Sequence, residues 1–152
     1  MFRSFWIVTL VSLTAFANAR AQDRQVVTDP TPLPGLPFSA AIRSGSLIFV
    51  SGQIGNVPGT RTIVPGGVAA ETRQAMENIR RILEAAGSSM SRVVKCTVFL
   101  ADIADYGAMN EVYATFFPTD PPARSTLSSP GLALGARIEV ECIAVAGPSR
   151  GR

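Results

Sequence analysis

The chain has 152 residues, a formal net charge of +3 and no histidine. This length favours a single domain, and the lack of histidine excludes mechanisms in which imidazole moves protons near neutral pH. With only two cysteines, the chain also has few of the side chains that a zinc site needs. Its basic residues are scattered rather than gathered in a stripe, which argues against a nucleic-acid partner.

Residues 1–21 have the layout of a secretory signal peptide. A positive start at Arg3 precedes an apolar run over residues 5–16, and the small residues that end at Ala21 fit a cleavage site. The run is shorter than the about 20 residues that a membrane span needs, so an uncleaved anchor is the less favoured alternative. We therefore expect a secreted or periplasmic protein that is free of the membrane after cleavage.

The segment after the cleavage site, residues 22–37, is rich in proline and has no hydrophobic period. It predicts an extended or flexible lead-in to a domain over residues 38–147. Strands are expected at 38–43 and 47–51, where a Ser-Gly-Ser turn between them favours a hairpin. The glycines and prolines from Gly52 onward predict the end of the second strand.

Two helices and three more strands follow. Apolar residues at steps of three and four predict a helix over 68–86, and β-branched residues predict a buried strand over 92–100. A second helix over 105–117 is expected to be capped by Asp105. A short strand at 124–127 and a last strand at 136–146 complete the order β-β-α-β-α-β-β, which predicts an α+β fold with two helices on one face of a mixed sheet.

The opposite face of the sheet must meet solvent or another subunit, because two helices cannot cover both faces. In the last strand, the residues that point to this face combine charges with aliphatic side chains. They are Arg137, Glu139, Glu141, Ile143 and Val145. This face could be a solvated ladder of Arg and Glu side chains or a contact with another subunit, and the sequence leaves both alternatives open.

Both cysteines, Cys96 and Cys142, lie in apolar runs with strand character. The pattern favours buried free thiols that pack as small hydrophobic groups. Export would permit a disulfide bond between them, which is the first alternative. A reactive thiol is the second.

Six motifs in order carry a resemblance to a known family. They are Val50–Ile54, Asn78–Gly87, Val94–Leu100, Asn110–Tyr113, Pro122–Ser125 and Ile138–Glu141. Together they resemble the reactive intermediate deaminases, the Rid or YjgF-like family, from about residue 38 to residue 146. The resemblance implies a chorismate-mutase-like α+β fold, assembled as a homotrimer with sites in the clefts between subunits. It also implies hydrolysis of enamines and imines such as 2-aminoacrylate to 2-oxo acids and ammonia, with no metal or organic cofactor.

The resemblance assigns the two central residues of the site. Arg124 matches the arginine that binds the substrate carboxylate, and Glu139 matches the glutamate associated with the attacking water. This chemistry suits the residues themselves, because an imine carbon is already electrophilic and needs a held substrate and an aimed water rather than an activated nucleophile. Glu141, which shares a strand face with Glu139, is interpreted as structural.

Four further positions match residues that line the family's site. Ser51 and Asn110 match lining residues, although both could serve as ordinary polar groups of a turn and a helix. Thr126 stands where cysteine is common and keeps the backbone groups. Phe38 stands where many members have tyrosine, and the missing hydroxyl removes a hydrogen bond worth about 0.5–1.5 kcal/mol.

Two other functions remain as alternatives to the deaminase. The same cleft could hold a small carboxylate without turnover, since binding requires Arg124 and tolerates Glu139. A ribonuclease, a label that some relatives carry, is less favoured. The absence of histidine and of aromatic stacking repeats argues against it, and loss of Arg3 and Arg20 with the signal peptide would reduce the net charge to about +1.

Overall fold

A computed structural model describes residues 24–147, so the predicted signal peptide lies outside the described residues. Six strands and two helices form the expected α+β fold. Within the described range, no helix has both the length and the hydropathy to cross a membrane. The elements are β1 (Arg24–Val27), β2 (Ala41–Ser44), β3 (Leu47–Ile54), α1 (Gly67–Ala85), β4 (Val93–Leu100), α2 (Tyr106–Thr115), β5 (Ala123–Ser128) and β6 (Ile138–Val145).

The strands form one sheet in the order β1-β2-β3-β6-β4-β5. The pair β4 and β5 is parallel, as a connection through α2 allows, and the other neighbours are antiparallel. The last strand of the chain thus lies in the middle of the sheet, between β3 and β4. Strand β5, which carries Arg124, is an edge strand, whereas Glu139 lies on the central strand β6.

Both helices cover the same face of the sheet, as the layer argument predicts. The apolar stripe of α1 is fully buried at Ala75, Met76 and Ile79. It packs on the face of β6 that presents Ile138, Val140, Cys142 and Ala144. Burial of the larger of these side chains, Ile138 and Val140, is worth about 1.5–3 kcal/mol each and stabilises the layer. On the opposite face, Leu47, Phe49 and Leu127 are exposed.

The chain differs from prediction at its first three strands, and β2 begins at Ala41 rather than at residue 38. Residues 24–27, expected within an extended or flexible lead-in, form β1 and pair with β2. Strand β3 does not end at Ser51 but continues through Gly52 to Ile54, with an irregularity in its pairing to β6 between Val50 and Gln53. A glycine within a strand is typical of such a bulge or of a close approach by another group.

Two buried polar side chains of α1 attach the loops around the helix. Asn78 donates hydrogen bonds to the carbonyl oxygens of Ile54 and Asn56, at 3.2 and 3.1 Å. Glu71 accepts a hydrogen bond of 2.7 Å from the backbone N–H of Arg137, just before β6. Buried polar groups cost free energy unless they are paired, so these contacts fix the end of β3 and the start of β6 relative to α1.

The predicted role of Asp105 as a helix cap is wrong. Its side chain makes no capping hydrogen bond to α2. Instead its carboxylate accepts two hydrogen bonds of 2.9 Å from the guanidinium of Arg137. Asp102 caps the short helical turn just before α2, where it accepts a hydrogen bond from the N–H of Ala104. A neighbouring guanidinium, which the local sequence does not reveal, outcompetes the backbone for Asp105.

The favoured interpretation of the cysteines as free thiols is also wrong, since Cys96 and Cys142 form a disulfide bond. The two residues lie directly opposite each other on β4 and β6, with their Cα atoms 4.1 Å apart. They are 46 positions apart in the sequence. Their proximity depends on the insertion of β6 beside β4, which strand patterns alone do not predict.

Candidate active site

Arg124 lies on β5 level with Cys96 of β4, so its side chain faces α2. Its Nη2 group donates a hydrogen bond of 3.1 Å to the hydroxyl of Tyr106, and its Nη1 lies 3.9 Å from the sulfur of Met109. The guanidinium carbon is 4.7 Å from the ring centroid of Tyr113 and 5.5 Å from that of Tyr106. These cation–π contacts hold the guanidinium in place. Because it carries five N–H donors, it keeps donors for a ligand.

The cavity beside this guanidinium, here called the arginine pocket, has a volume of about 500 Å³ and is also lined by Asn110 and Thr126. The hydroxyls of Tyr113 and Thr126 are buried in it without a hydrogen-bond partner among residues 24–147. Burial raises the pKa of Tyr113 to about 12, so its phenol stays protonated. Buried hydroxyls without partners are costly, and the arginine pocket therefore suits a polar, anionic ligand.

Glu139 lines a second cavity, here called the glutamate pocket, of about 400 Å³. Phe38, Leu134 and Gly52 lie in its wall. Burial, and then the negative charge of Glu141, raise the pKa of Glu139 above its ordinary value. A carboxyl group with a raised pKa can both accept and return a proton nearer neutral pH.

Gly52 gives the carboxyl group of Glu139 its room. A Cβ atom added at this glycine would overlap Oε1 of Glu139. The absence of a side chain thus lets the carboxyl group lie directly against β3. This contact explains why β3 contains a glycine in the middle of a strand.

Arg124 and Glu139 are not brought together within one chain. Cys96 pairs with both Arg124 and Cys142, whereas Glu139 pairs with Phe99. Since side chains alternate along a strand, the side chain of Arg124 lies on the helix-covered face and that of Glu139 on the open face. The two residues accordingly line separate pockets.

The other predicted site residues divide between these pockets. Asn110 and Thr126 lie with Arg124, and Phe38 lies with Glu139. Ser51 lines neither pocket: its hydroxyl donates a hydrogen bond of 2.7 Å to the carbonyl oxygen of Ser39 and ties the segment before β2 to β3. Its neighbour Gly52 does line the glutamate pocket.

Gly52, Tyr106 and Tyr113 are residues of these pockets that the sequence alone does not identify. Gly52 and Tyr113 lie within the motifs Val50–Ile54 and Asn110–Tyr113, but neither motif gives them a role in the site. Tyr106 begins α2 and belongs to no motif. Its proximity to Arg124 follows from the packing of α2 beside β5, so no local pattern could have identified it.

The two pockets are typical of a protein that binds small molecules. One presents an arginine suited to an anion, and the other presents a carboxyl group suited to proton transfer. The chain belongs to the Endoribonuclease L-PSP family, whose model matches residues 28–146. It is 47% identical over 126 residues to the rat protein named 2-iminobutanoate/2-iminopropanoate deaminase, an alignment that covers 82% of this chain and 92% of the relative.

Solved structures show the same fold. The yeast protein YEO7 superposes with a TM-score of 0.78 at 39% identity, over 82% of this chain and 100% of its own. TdcF from E. coli, solved with bound serine, superposes with a TM-score of 0.74 at 35% identity, over 81% of this chain and 99% of its own. These matches confirm the predicted fold class and family.

Proposed function

We propose that this protein hydrolyses imines and enamines of 2-amino acids, such as 2-iminopropanoate and 2-aminoacrylate, to 2-oxo acids and ammonia. The observation that carries the proposal is the guanidinium of Arg124, held on two aromatic rings with N–H donors left for a carboxylate. Relatives named 2-iminobutanoate/2-iminopropanoate deaminase, at 44–47% identity, align over most of the chain and support it. The serine in TdcF also bears an α-carboxylate.

The reaction requires few protein groups. Arg124 grips the substrate carboxylate through two parallel hydrogen bonds and so fixes the adjacent imine carbon. Glu139 accepts a proton from a water molecule as the water oxygen adds to this carbon, and it passes this proton to the imine nitrogen, which gives a tetrahedral carbinolamine. Glu139 then accepts the proton of the new hydroxyl and delivers it to the nitrogen as the C–N bond breaks, so that the 2-oxo acid and ammonia are released.

The proposal includes a homotrimer in which adjacent copies share each site. Arg124 of one copy and Glu139 of the next would meet in one cleft, which would complete two pockets that lie on opposite faces of a single sheet. The apolar side chains on the open face, Leu47, Phe49 and Leu127, support burial against another copy. A head-to-tail contact that closes after three copies would create three equivalent sites.

The proposal also places the protein outside the cytoplasm, after removal of residues 1–21. The disulfide bond between Cys96 and Cys142 supports this location, because disulfides persist mainly in oxidising compartments. Mass spectrometry of the protein from its native host should find an N-terminus near Gln22. A cytosolic protein that retains Met1 would contradict this part of the proposal.

Subunit mixing tests the activity and the shared site together. An amino-acid oxidase supplies the imine, and release of the 2-oxo acid is measured. Arg124→Ala should lose substrate binding, whereas Glu139→Gln should bind 2-oxo acids and hydrolyse the imine slowly. If equal amounts of the two chains are unfolded and refolded together, each mixed ring contains one complete site, which restores roughly one quarter of the wild-type activity.

The controls are each variant refolded alone and the two variants mixed after separate refolding, all of which should stay far below one quarter of the wild-type activity. Refolded mixtures without recovered activity, while wild-type protein treated in the same way is active, would contradict the shared site. Wild-type protein that binds 2-oxo acids but never accelerates imine hydrolysis would contradict the deaminase and favour a carboxylate-binding protein.

A further inference from the structure

Tyr106 lies at the start of α2 and lines the arginine pocket. It is 41% exposed, and its hydroxyl lies 3.1 Å from Nη2 of Arg124. A guanidinium can only donate hydrogen bonds, so the phenol oxygen accepts in this contact. The hydroxyl of Tyr106 can therefore donate a hydrogen bond to another group.

We propose that Tyr106 positions Arg124 and donates a hydrogen bond from its hydroxyl to the substrate carboxylate, so that the phenol and the guanidinium form one three-donor clamp. This inference rests on the proposed function, because it assigns a further residue to the same carboxylate. The phenol oxygen occupies one N–H of Nη2 and thereby orients the planar guanidinium. Hydrogen bonds to a carboxylate are roughly twice as strong as those between neutral groups, so a third donor matters for affinity.

Two further observations point to a polar ligand in the same place. The hydroxyls of Tyr113 and Thr126, which line this pocket, are the buried side-chain oxygens in residues 24–147 that have no hydrogen-bond partner. In addition, Asn110 and then Arg124 lower the pKa of Tyr106 below its ordinary value. A more acidic phenol is a better hydrogen-bond donor to a carboxylate.

The variant Tyr106→Phe separates the effect of the hydroxyl from that of the ring, because phenylalanine retains the cation–π contact with Arg124. Calorimetry should show about tenfold weaker binding of 2-oxobutanoate to this variant. The KM for the imine should rise similarly, while kcat stays within about twofold, since the carboxylate keeps its charge throughout the reaction. The neutral amide of 2-oxobutanoate should bind both proteins equally.

Tyr113→Phe is a matched comparison, since Tyr113 is the only other tyrosine in the chain and its hydroxyl makes no hydrogen bond to Arg124. It should weaken 2-oxobutanoate binding less than Tyr106→Phe does. Equal losses in the two variants would indicate a general effect of pocket polarity and contradict the inference. Unchanged binding in Tyr106→Phe, an equal loss for acid and amide, or a fall in kcat with constant KM would also contradict it.

The outcome is distinguishable from failure of the proposed function, because the binding measurement does not require turnover. Wild-type protein that hydrolyses the imine while both proteins bind 2-oxobutanoate equally would contradict only the role of Tyr106. Wild-type protein that binds the acid tenfold more tightly than Tyr106→Phe but hydrolyses nothing would contradict only the deaminase.

Discussion

The arginine pocket and the glutamate pocket differ in how each affects the charge of its central side chain. In the first, Arg124 is held by aromatic faces and a phenol, and none of the ion pairs found in the described part of the chain neutralises it. In the second, burial and a like charge favour the neutral form of Glu139. One pocket thus presents a fixed charge to an anion, whereas the other holds a group whose proton can be exchanged. This difference supports the proposed shared site, in which the two pockets are complementary halves.

Removal of the guanidinium of Arg124 should give the largest effect on activity, and it tests whether the arginine pocket binds an anion. Arg124→Ala should lower kcat/KM by about 10³–10⁴-fold, because it deletes two hydrogen bonds to a charged carboxylate. Without the cation, Glu139 would also repel the incoming anion. Coupled oxidase assays measure the rate, and circular dichroism checks the fold.

Arg124→Lys is the matched control, since it retains the charge but loses the two-pronged geometry. It should bind 2-oxo acids more weakly than the wild type and more tightly than Arg124→Ala. If folded Arg124→Ala deaminated 2-iminopropanoate at the wild-type rate, the assignment of Arg124 as the carboxylate clamp would be wrong.

Gly52→Ala tests the glutamate side without changing any charge. The added methyl group would overlap the carboxyl group of Glu139 and push it away from its position beside β3. We expect kcat to fall by about tenfold or more, because small displacements of a catalytic group are costly. Binding of 2-oxo acids should change little.

Gly107→Ala is the corresponding control, because a Cβ atom at this exposed position on α2 would meet no atom within 4 Å beyond its chain neighbours and the helix's own backbone. It should keep wild-type activity and stabilise the helix by about 0.5–1 kcal/mol. If Gly52→Ala were fully active, the close contact between Gly52 and Glu139 would be irrelevant to catalysis.

The disulfide bond links β4, the strand beside Arg124, to β6, the strand that carries Glu139. Its removal tests how far the geometry of the two pockets depends on this link between the strands. Cys96→Ala combined with Cys142→Ala should lower the free energy of unfolding by about 2–4 kcal/mol. Activity at 25 °C should fall only slightly, because neither sulfur lines either pocket.

Reduction of the wild-type protein provides the control for lost side-chain volume. A reductant should lower the midpoint of wild-type thermal unfolding and leave that of the double variant unchanged. Equal midpoints for oxidised and reduced wild-type protein would show that the bond adds no stability.

The sequence predicted local structure well and spatial relations less well. The apolar steps of α1 and the β-branched run of β4 place both elements within one residue of their observed bounds. The disulfide, by contrast, depends on the insertion of β6 between β3 and β4. The same insertion, together with the register of β5, puts Arg124 and Glu139 on opposite faces. These are long-range pairings, on which periodicity and turn residues carry no information.

The site shows the same division. Motif resemblance supplied Arg124, Glu139, Asn110 and Thr126, which lie in two pockets rather than one. Tyr106 was missed because its role depends on a hydroxyl that meets a guanidinium 18 positions away. Ser51 was predicted to line the site, but it hydrogen-bonds a backbone carbonyl that only the folded hairpin brings near.

Glu141→Gln should give the smallest effect and sharpens the account of charge in the glutamate pocket. Glu141 is exposed on the same strand as Glu139, and its charge is the second cause, after burial, of the raised pKa of Glu139. Removing that charge should lower this pKa, so the deprotonated base persists to lower pH. The acid limb of the profile of kcat against pH should therefore move to lower pH, while the plateau at higher pH stays unchanged.

The pH dependence of the free energy of unfolding should also change in Glu141→Gln, in a direction that the raised pKa of Glu139 determines. A carboxyl group whose pKa is raised by folding favours the folded state below its unfolded pKa, and this contribution is lost as pH rises through the folded pKa. Glu141→Gln reduces the shift, so it should reduce the loss of stability of the wild-type protein over that pH range. Urea unfolding across this range measures the difference, and Glu84→Gln, at an exposed position on α1, is the control for deletion of a distant charge. If the acid limb of kcat and the pH dependence of stability were both identical in Glu141→Gln and the wild type, burial alone would account for the raised pKa of Glu139.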